Sequence, residues 1–275
     1  MTKLRLGSIE HKQLFCDEFR STFRPFEVRE IRWPQLDEHT LARLRAMPFW
    51  DEAVKTERVA GARVRLMAEV ERDPMLREVI AMQAYEETRH AGILQSLLGH
   101  IGVEVPDDLR HKQRDPEWGF LRMGYGEVFD SFFAFGLFRL AGETGFFPPE
   151  LMEIFDAFMD EEARHVIFFV NWAIYRNRNL RALKPWFGIR RALGMSIQAL
   201  GRMRTGVAMA RGDGAGEDFV MQADSIDADI TMRRLAAVCL EEYRRRLDKY
   251  DPRLARPRLV PRMVEYALRV MPRAG

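Results

Sequence analysis

The sequence predicts an all-α fold, a four-helix bundle with additional N- and C-terminal helices. Apolar residues recur with the period of a helix, and we find no convincing run of strand alternation. Proline and glycine divide the middle of the chain into four stretches of about 25 residues. The chain has 275 residues, 47% of them hydrophobic and 31% charged, which is typical of a soluble globular protein.

The first two bundle helices are predicted on either side of a short turn. One helix covers about residues 48–72. Asp73 and Pro74 then form an N-cap and a first helical residue, because proline's missing N–H costs nothing at that position. Gly99 and Gly102 are expected to end the second helix.

The second pair of bundle helices follows the same pattern. Asp115, followed by proline, starts a third helix that extends to Gly145. The Pro148-Pro149 pair breaks the chain, and a fourth helix covers about residues 150–175. Because each pair is joined by a short turn, its two helices are expected to be antiparallel.

The flanking segments are expected to belong to the same domain. Residues 1–47 form an N-terminal extension that packs on the bundle, broken into short pieces by Pro25 and Pro34. The bundle itself covers 48–176, and C-terminal helices with a basic tail cover 177–275. The flanking helices expected after the bundle cover 185–210, 217–249 (after a glycine-rich spacer at 212–216) and a short piece around 263–270.

Composition excludes several classes of protein. Cys16 and Cys239 are far apart and form no CxxC pair, which argues against a disulfide framework, a zinc finger or an iron–sulfur centre. The N-terminus has no apolar run of signal-peptide length, and no stretch reaches about 18 uninterrupted apolar residues. We therefore expect a cytoplasmic protein.

Positive charge is concentrated after the bundle. From Arg176 to Arg211 there are nine Lys or Arg and no Asp or Glu. This basic segment is either a face that pairs with acids elsewhere or a surface for an anionic partner, such as a carrier protein, a phosphorylated substrate, RNA or a membrane. No nucleic-acid motif supports specific RNA or DNA binding.

The motif Glu-Glu-x-Arg-His occurs twice, at residues 86–90 and 161–165, 75 residues apart. Residues three apart share a helix face, so a carboxylate and an imidazole at that spacing can bind a metal ion. These pairs are Glu87 with His90 and Glu162 with His165. Apolar residues follow both histidines, and Glu and His in an apolar core are costly unless paired or metal-bound. The competing interpretation is two exposed helix faces.

Reflection across the turns predicts further carboxylates at the same height. Glu57 lies about as far before the first turn as Glu87 lies after it. For the second pair the reflection falls near residues 130–133, where the available acids are Glu127 and Asp130. The geometry leaves these two open.

These residues resemble the ligands of ferritin-like di-iron and di-manganese carboxylate proteins, in which two helices give one Glu each and two give Glu-x-x-His. The chain resembles that superfamily over residues 48–175. The resemblance implies that the metal ligands are Glu57, Glu87, His90, Glu127, Glu162 and His165.

The half-spacings of 30 and 35 residues are similar to those of the oxygen-activating branch, which includes R2-like ligand-binding oxidases. On that spacing Glu127 is preferred to Asp130. Asp130 then becomes a hydrogen-bond partner of a histidine N–H, and Glu86 and Glu161 are expected to support the ligands in the same way. Leu94 occupies the position of the reductase radical tyrosine, so a ribonucleotide reductase subunit is disfavoured.

The resemblance implies a di-iron oxidase or oxygenase. Its cofactor would be two Fe ions, with Mn or a mixed Mn/Fe pair as alternatives, and its partners O2, an electron donor and an apolar or partly apolar organic substrate. The third helix is rich in phenylalanine, which forms either ordinary core or a channel beside the metals. The small residues Ala134, Gly136 and Gly142 would leave room for such a channel.

Two other functions stay open at this point. One is a non-enzymatic metal-binding or ferroxidase protein, and the other is a helical interaction protein with a relic site whose ligands would be held in salt bridges to Arg89 and Arg164. A homodimer is one candidate assembly.

Overall fold

The structure is a computed structural model that describes residues 4–47, 50–104, 114–180, 183–210 and 230–270, with the backbone alone over 203–210. Helices dominate these ranges, which contain no strand. They are α1 (Ile9–Thr22), a 3-10 turn (Val28–Glu30), α2 (Glu38–Arg45), α3 (Trp50–Val70), α4 (Pro74–Ile101), α5 (Pro116–Glu143), α6 (Pro149–Asn179), α7 (Lys184–Ala210), α8 (Met232–Leu247) and α9 (Leu259–Val270).

The predicted starts of α4 and α5 are confirmed by their capping hydrogen bonds. The Asp73 side chain accepts from the backbone N–H groups of Met75 and Leu76, with proline at the first helical position. The Asp115 side chain accepts from the N–H of Trp118 in the same way. These bonds satisfy N–H groups that have no partner inside the helix.

The end of α4 differs from the expectation at one glycine. Gly99 lies inside the helix and does not stop it. Gly102 ends the helix with a φ of 75°, a left-handed conformation that glycine adopts without strain. A glycine inside a helix lowers its stability by only about 1 kcal/mol relative to alanine, so the presence of a glycine does not by itself end a helix. The left-handed turn at Gly102 ends it.

The other helices follow the predicted order with shifted ends. The fourth bundle helix continues to Asn179, a turn beyond its expected end, and the last helix begins at Leu259 instead of near 263. Of the expected 217–249 helix the structure describes α8. The predicted spacer at 212–216 lies outside the described residues.

The four long helices pack as two pairs, α3 with α4 and α5 with α6, and α5 also contacts α3, α7 and α8. Two glycines of α5 permit close approach. A Cβ at Gly124 would lie 2.2 Å from Phe169, and a Cβ at Gly136 would lie 2.3 Å from the Cys239 sulfur. Gly136 therefore serves the packing of α8 on α5, and the expectation that it leaves room for a channel is wrong.

Several basic residues of the 176–211 segment pair with acids. Arg176 contacts Glu117 at 2.8 Å, and Arg190 contacts Asp115 at 2.7 Å. These contacts favour the paired-face interpretation for the residues concerned. No helix in the described ranges is long and apolar enough to cross a membrane.

Candidate metal centre

Two helices bring the repeated motif together at the centre of the bundle. Glu87 and His90 project from α4, and Glu162 and His165 project from α6. One potential ligand atom from each of the four lies within 4.8 Å of the others, and all four side chains are buried. The competing interpretation of two exposed helix faces is therefore wrong.

Glu57 of α3 lies beside this group, at the height that turn reflection predicted. Its Oε2 lies 3.7 Å from His90 Nδ1. The pKa of Glu57 is raised to about 7, chiefly by burial and also by the Glu162 and Glu87 carboxylates, while its contact with His90 lowers it. Such crowding of carboxylates is typical of a site that holds cations.

The two candidates for the fourth carboxylate point in different directions. Burial and the neighbouring carboxylates of Glu87 and Glu162 raise the pKa of Glu127 well above its ordinary value, and neither of its oxygens has a hydrogen-bond partner. Asp130 instead accepts two hydrogen bonds from Arg202 of α7, one of them 2.9 Å from Nε. Glu127 thus faces the group of carboxylates.

The outer nitrogens of the two histidines bond to the other copy of the motif. His90 Nε2 lies 2.8 Å from Glu161, and His165 Nε2 lies 2.8 Å from Glu86. The expectation that Asp130 accepts a histidine N–H is therefore not met, because these two glutamates occupy that role. Each carboxylate fixes an Nε2–H tautomer, which turns the Nδ1 lone pair toward the centre.

The arginines of the motif complete this crossed arrangement. Arg89 donates to Glu161 at 2.5 Å, and Arg164 donates to Glu86. Both guanidinium groups also donate to backbone carbonyls at the end of α1, Arg164 to that of Thr22 and Arg89 to that of Arg24, and Arg89 lies 4.0 Å from the ring centroid of Phe26. The arginines thus hold the supporting glutamates, whereas a relic site would have them paired with the predicted ligands.

The inward-facing atoms fit a pair of cations. Both Nδ1 atoms and several carboxylate oxygens are buried without a hydrogen-bond partner; they belong to His90, His165, Glu127 and Glu162. His90 Nδ1 lies 3.0 Å from a Glu162 oxygen, and His165 Nδ1 lies 3.1 Å from a Glu87 oxygen. Lone pairs that face each other at this distance repel unless positive charge lies between them. Four carboxylates with two imidazoles suit iron or manganese better than zinc or copper.

The pKa of His165 is consistent with this shortage of positive charge. Burial lowers it, but the Glu87 carboxylate and a hydrogen bond to Glu86 raise it well above the ordinary value. The carboxylates around this imidazole thus favour positive charge at the centre.

A cavity of about 420 Å³ adjoins the centre. The cavity is lined by the carboxylates of Glu57, Glu87, Glu127 and Glu162. Apolar residues of four helices and the α5–α6 turn also line it: Trp50, Leu94, Phe138, Phe147, Phe155 and Phe158. Its size is that of a site for a small organic molecule. Of the residues expected to make room, Ala134 lines it, whereas a Cβ at Gly142 would lie 3.0 Å from Met152.

Sequence reasoning missed part of this cavity. Phe155 and Phe158 precede Glu162 on α6, and their apolar character looks the same as ordinary core. Arg63 and Arg122 also line it. No local pattern distinguishes them from the other arginines of these helices.

Comparison with known proteins supports the fold. Neither a protein-family model nor a curated protein sequence matches the chain. Among solved structures, an R2-like ligand-binding oxidase with an aerobically reconstituted metal cofactor after photoconversion matches with a TM-score of 0.55 and 15% identity, over 90% of this chain and 94% of that chain. A point mutant with a Mn/Fe cofactor matches with a TM-score of 0.56, 14% identity and coverage of 90% and 96%. Another, with an Fe/Fe cofactor, matches with a TM-score of 0.55, 15% identity and coverage of 88% and 93%. The predicted all-α, ferritin-like fold is confirmed.

Proposed function

We propose that the protein is a di-iron carboxylate oxidoreductase, an oxidase or oxygenase that uses O2 to oxidise an apolar or partly apolar organic substrate. The observation that carries this proposal is a group of potential metal-ligand atoms beside an apolar cavity. These carboxylate oxygens and imidazole nitrogens are buried and have no hydrogen-bond partner. The metals would be two Fe ions, with Mn or a mixed Mn/Fe pair as alternatives. The solved R2-like oxidases, which share the fold, contain Mn/Fe or Fe/Fe cofactors.

The proposed ligands are Glu57, Glu87, His90, Glu127, Glu162 and His165. When bound, two reduced metal ions supply the electrons that convert O2 into an oxidant. The protein's own groups orient the site. Glu86 and Glu161 hold the imidazole Nε2–H groups, so that both Nδ1 lone pairs point inward.

The cavity is proposed to hold the substrate and to exclude water from the site. Its phenylalanine and tryptophan side chains match an apolar molecular surface. Reduction of O2 to water consumes four electrons, whereas oxidation of one C–H bond supplies two. An oxygenase that inserts one oxygen atom and reduces the other to water therefore needs a separate donor for the remaining two electrons. Two free, buried cysteines agree with a protein of the reducing cytoplasm.

Iron storage is a weaker explanation of the same centre. A ferroxidase oxidises inorganic iron and has no need of a cavity of about 420 Å³ with aromatic walls. The cavity therefore favours an organic substrate.

Oxygen uptake tests the proposal. The protein is loaded anaerobically with two equivalents of Fe(II) per chain and mixed with O2 in an electrode cell. We expect rapid uptake by the native protein and its loss in Glu87→Ala and His165→Ala. Glu78→Gln, an exposed carboxylate on the same helix, is the matched control and should behave as native. No uptake by the native protein, or uptake of iron far beyond two ions per chain by a large spherical multimer, would overturn the oxidase proposal.

A further inference from the structure

The outward face of α7 is apolar. Its exposed large side chains recur every three or four residues and therefore share one face of the helix. They are Trp186, Ile189, Leu193, Ile197 and Leu200, here called the outer row, and each is between 39% and 60% exposed. At about 1.5 Å per residue the row is roughly 21 Å long. Single exposed apolar residues are common on soluble proteins, but a contiguous row is typical of a docking surface.

The arginines of the same helix are held on its inner side by acids. Arg190 contacts Asp115 at 2.7 Å, and Arg202 pairs with Asp130. A surface helix ordinarily turns its charged face to water and its apolar face to the core. In α7 the charged groups face the bundle and an apolar row faces outward, so the outward face suits an apolar medium.

Positive charge is in excess beside the outer row. The segment 176–211 has nine Lys or Arg and no Asp or Glu. Its described side chains pair with only three acids, all of them on α5 or at the N-cap of that helix. In the part of the chain that the structure describes, the exposed Arg178 and Lys184 have no ion-pair partner, and Lys184 lies two residues before Trp186. The row is therefore flanked by cations that acids do not balance.

Charge and hydrogen-bonding capacity distinguish the possible occupants of the outer row. A symmetric contact between two copies would place the same basic surface on both sides and leave its charge unbalanced. The five side chains of the row offer one hydrogen-bond donor, the indole of Trp186, whereas protein interfaces contain about one hydrogen bond per 100–200 Å². Acyl chains form no hydrogen bonds, anionic headgroups balance the cations, and tryptophan is enriched where bilayers meet water. These features favour a lipid surface.

We propose that α7 docks the protein on a bilayer that contains anionic lipids. The helix lies parallel to the membrane plane, with the outer row among the acyl chains and Lys184 beside the headgroup phosphates. An amphipathic helix bound in this way buries its apolar face about 5–10 Å into the boundary between headgroups and acyl chains. This docking goes beyond the proposed function, because the surface contains none of the proposed metal ligands.

Vesicle flotation of the metal-loaded protein tests the proposal. The vesicles are phosphatidylcholine alone, or phosphatidylcholine with about one quarter phosphatidylglycerol. We expect the native protein to float with the anionic vesicles, and Leu193→Glu to lower the partition coefficient about tenfold or more because it places a charge in the row. Val70→Glu is the matched control, since Val70 is 53% exposed and Leu193 is 51% exposed, and it should float as native. Lys184→Gln should weaken binding to the anionic vesicles about fivefold and leave binding to phosphatidylcholine within about twofold.

Tryptophan fluorescence locates the contact. With anionic vesicles we expect the emission to shift to shorter wavelength, as an indole leaves water, and we expect Trp186→Phe to lose the shift while it still floats. Far-UV circular dichroism and metal content of each variant distinguish a lost contact from a lost fold. Neither proposal depends on the other, because oxygen uptake is measured without vesicles.

Failure of the native protein to float would overturn the proposal, as would equal flotation of Leu193→Glu and Val70→Glu. A native dimer that Leu193→Glu dissociates, without flotation of either protein, would assign the row to a second copy instead. The helix α9 also exposes apolar side chains, among them Met263 and Tyr266. Flotation that is lost in Met263→Glu/Tyr266→Glu and kept in Leu193→Glu would show that α7 is not the docking helix.

Discussion

The crossed hydrogen bonds at Glu86 are expected to stabilise the folded protein. Glu86 is fully buried and accepts from two groups of the opposite motif, His165 Nε2 at 2.8 Å and the Arg164 guanidinium. Arg164 is itself only 4% exposed, so truncation by Glu86→Ala leaves a positive charge in the core without its main partner. Breaking a buried ion pair in this way costs about 3–5 kcal/mol.

The cost of breaking this ion pair is a large part of the free energy of unfolding, which for a domain is about 5–15 kcal/mol. Glu78→Ala gives the contrast. Glu78 pairs with Arg20 at 2.8 Å, but its side chain is 57% exposed, and exposed ion pairs contribute about 1 kcal/mol or less.

Urea unfolding of metal-free protein, followed by far-UV circular dichroism at neutral pH, measures both variants. We expect Glu86→Ala to lose about 3–5 kcal/mol with an unchanged m-value, and Glu78→Ala to lose less than about 1 kcal/mol. A loss for Glu86→Ala no larger than that for Glu78→Ala would refute the reasoning that the crossed pairs stabilise the centre of the bundle.

Three further predictions follow from the same structure. Metal affinity should fall as the pH drops below about 7, by about tenfold per pH unit for each proton displaced, because the raised pKa of Glu57 means that the metal must displace a proton there; a titration against a competing chelator checks this, and a pH-independent affinity would contradict it. Cys16 and Cys239, whose thiol pKa values burial raises to about 12, should resist a thiol-reactive disulfide in the native protein and react fully in denaturant; fast native reaction of either would contradict their burial. Gly136→Ala should lower the free energy of unfolding in urea by about 1–3 kcal/mol, because its Cβ meets Cys239. Gly99→Ala, whose Cβ has nothing within 4 Å, should raise it by about 0.5–1 kcal/mol. Equal effects would show that the close helix contact does not constrain Gly136.

The helices and the doubled motif were predictable because their signals are local. Caps, prolines and the i, i+3 spacing lie within one segment of chain, and each depends on backbone geometry that any helix shares. Turn reflection extended this to Glu57, because a short turn fixes the height of residues in an antiparallel pair. Its precision is about one turn of helix, which is why it could not separate Glu127 from Asp130.

The residues that sequence reasoning missed depend on contacts between distant segments. Asp130 turns toward Arg202, and nothing near either residue predicts that α7 lies there. Glu86 and Glu161 were expected to support the ligands, but the crossing, in which each serves the histidine of the other motif, arises only when α4 and α6 face each other. Arg63 likewise becomes distinctive only through its position beside a second arginine, Arg122.

Six residues are proposed to hold the two metal ions. A crystal structure of the metal-loaded protein, with anomalous data at the iron and manganese edges, tests this proposal most directly. We predict two anomalous peaks roughly 3.5–4 Å apart, each bound through one histidine Nδ1, with carboxylate oxygens of Glu57, Glu87, Glu127 and Glu162 completing the site. A single peak, no peak, or two ions without Glu127 among their ligands would show that the six-residue site is wrong.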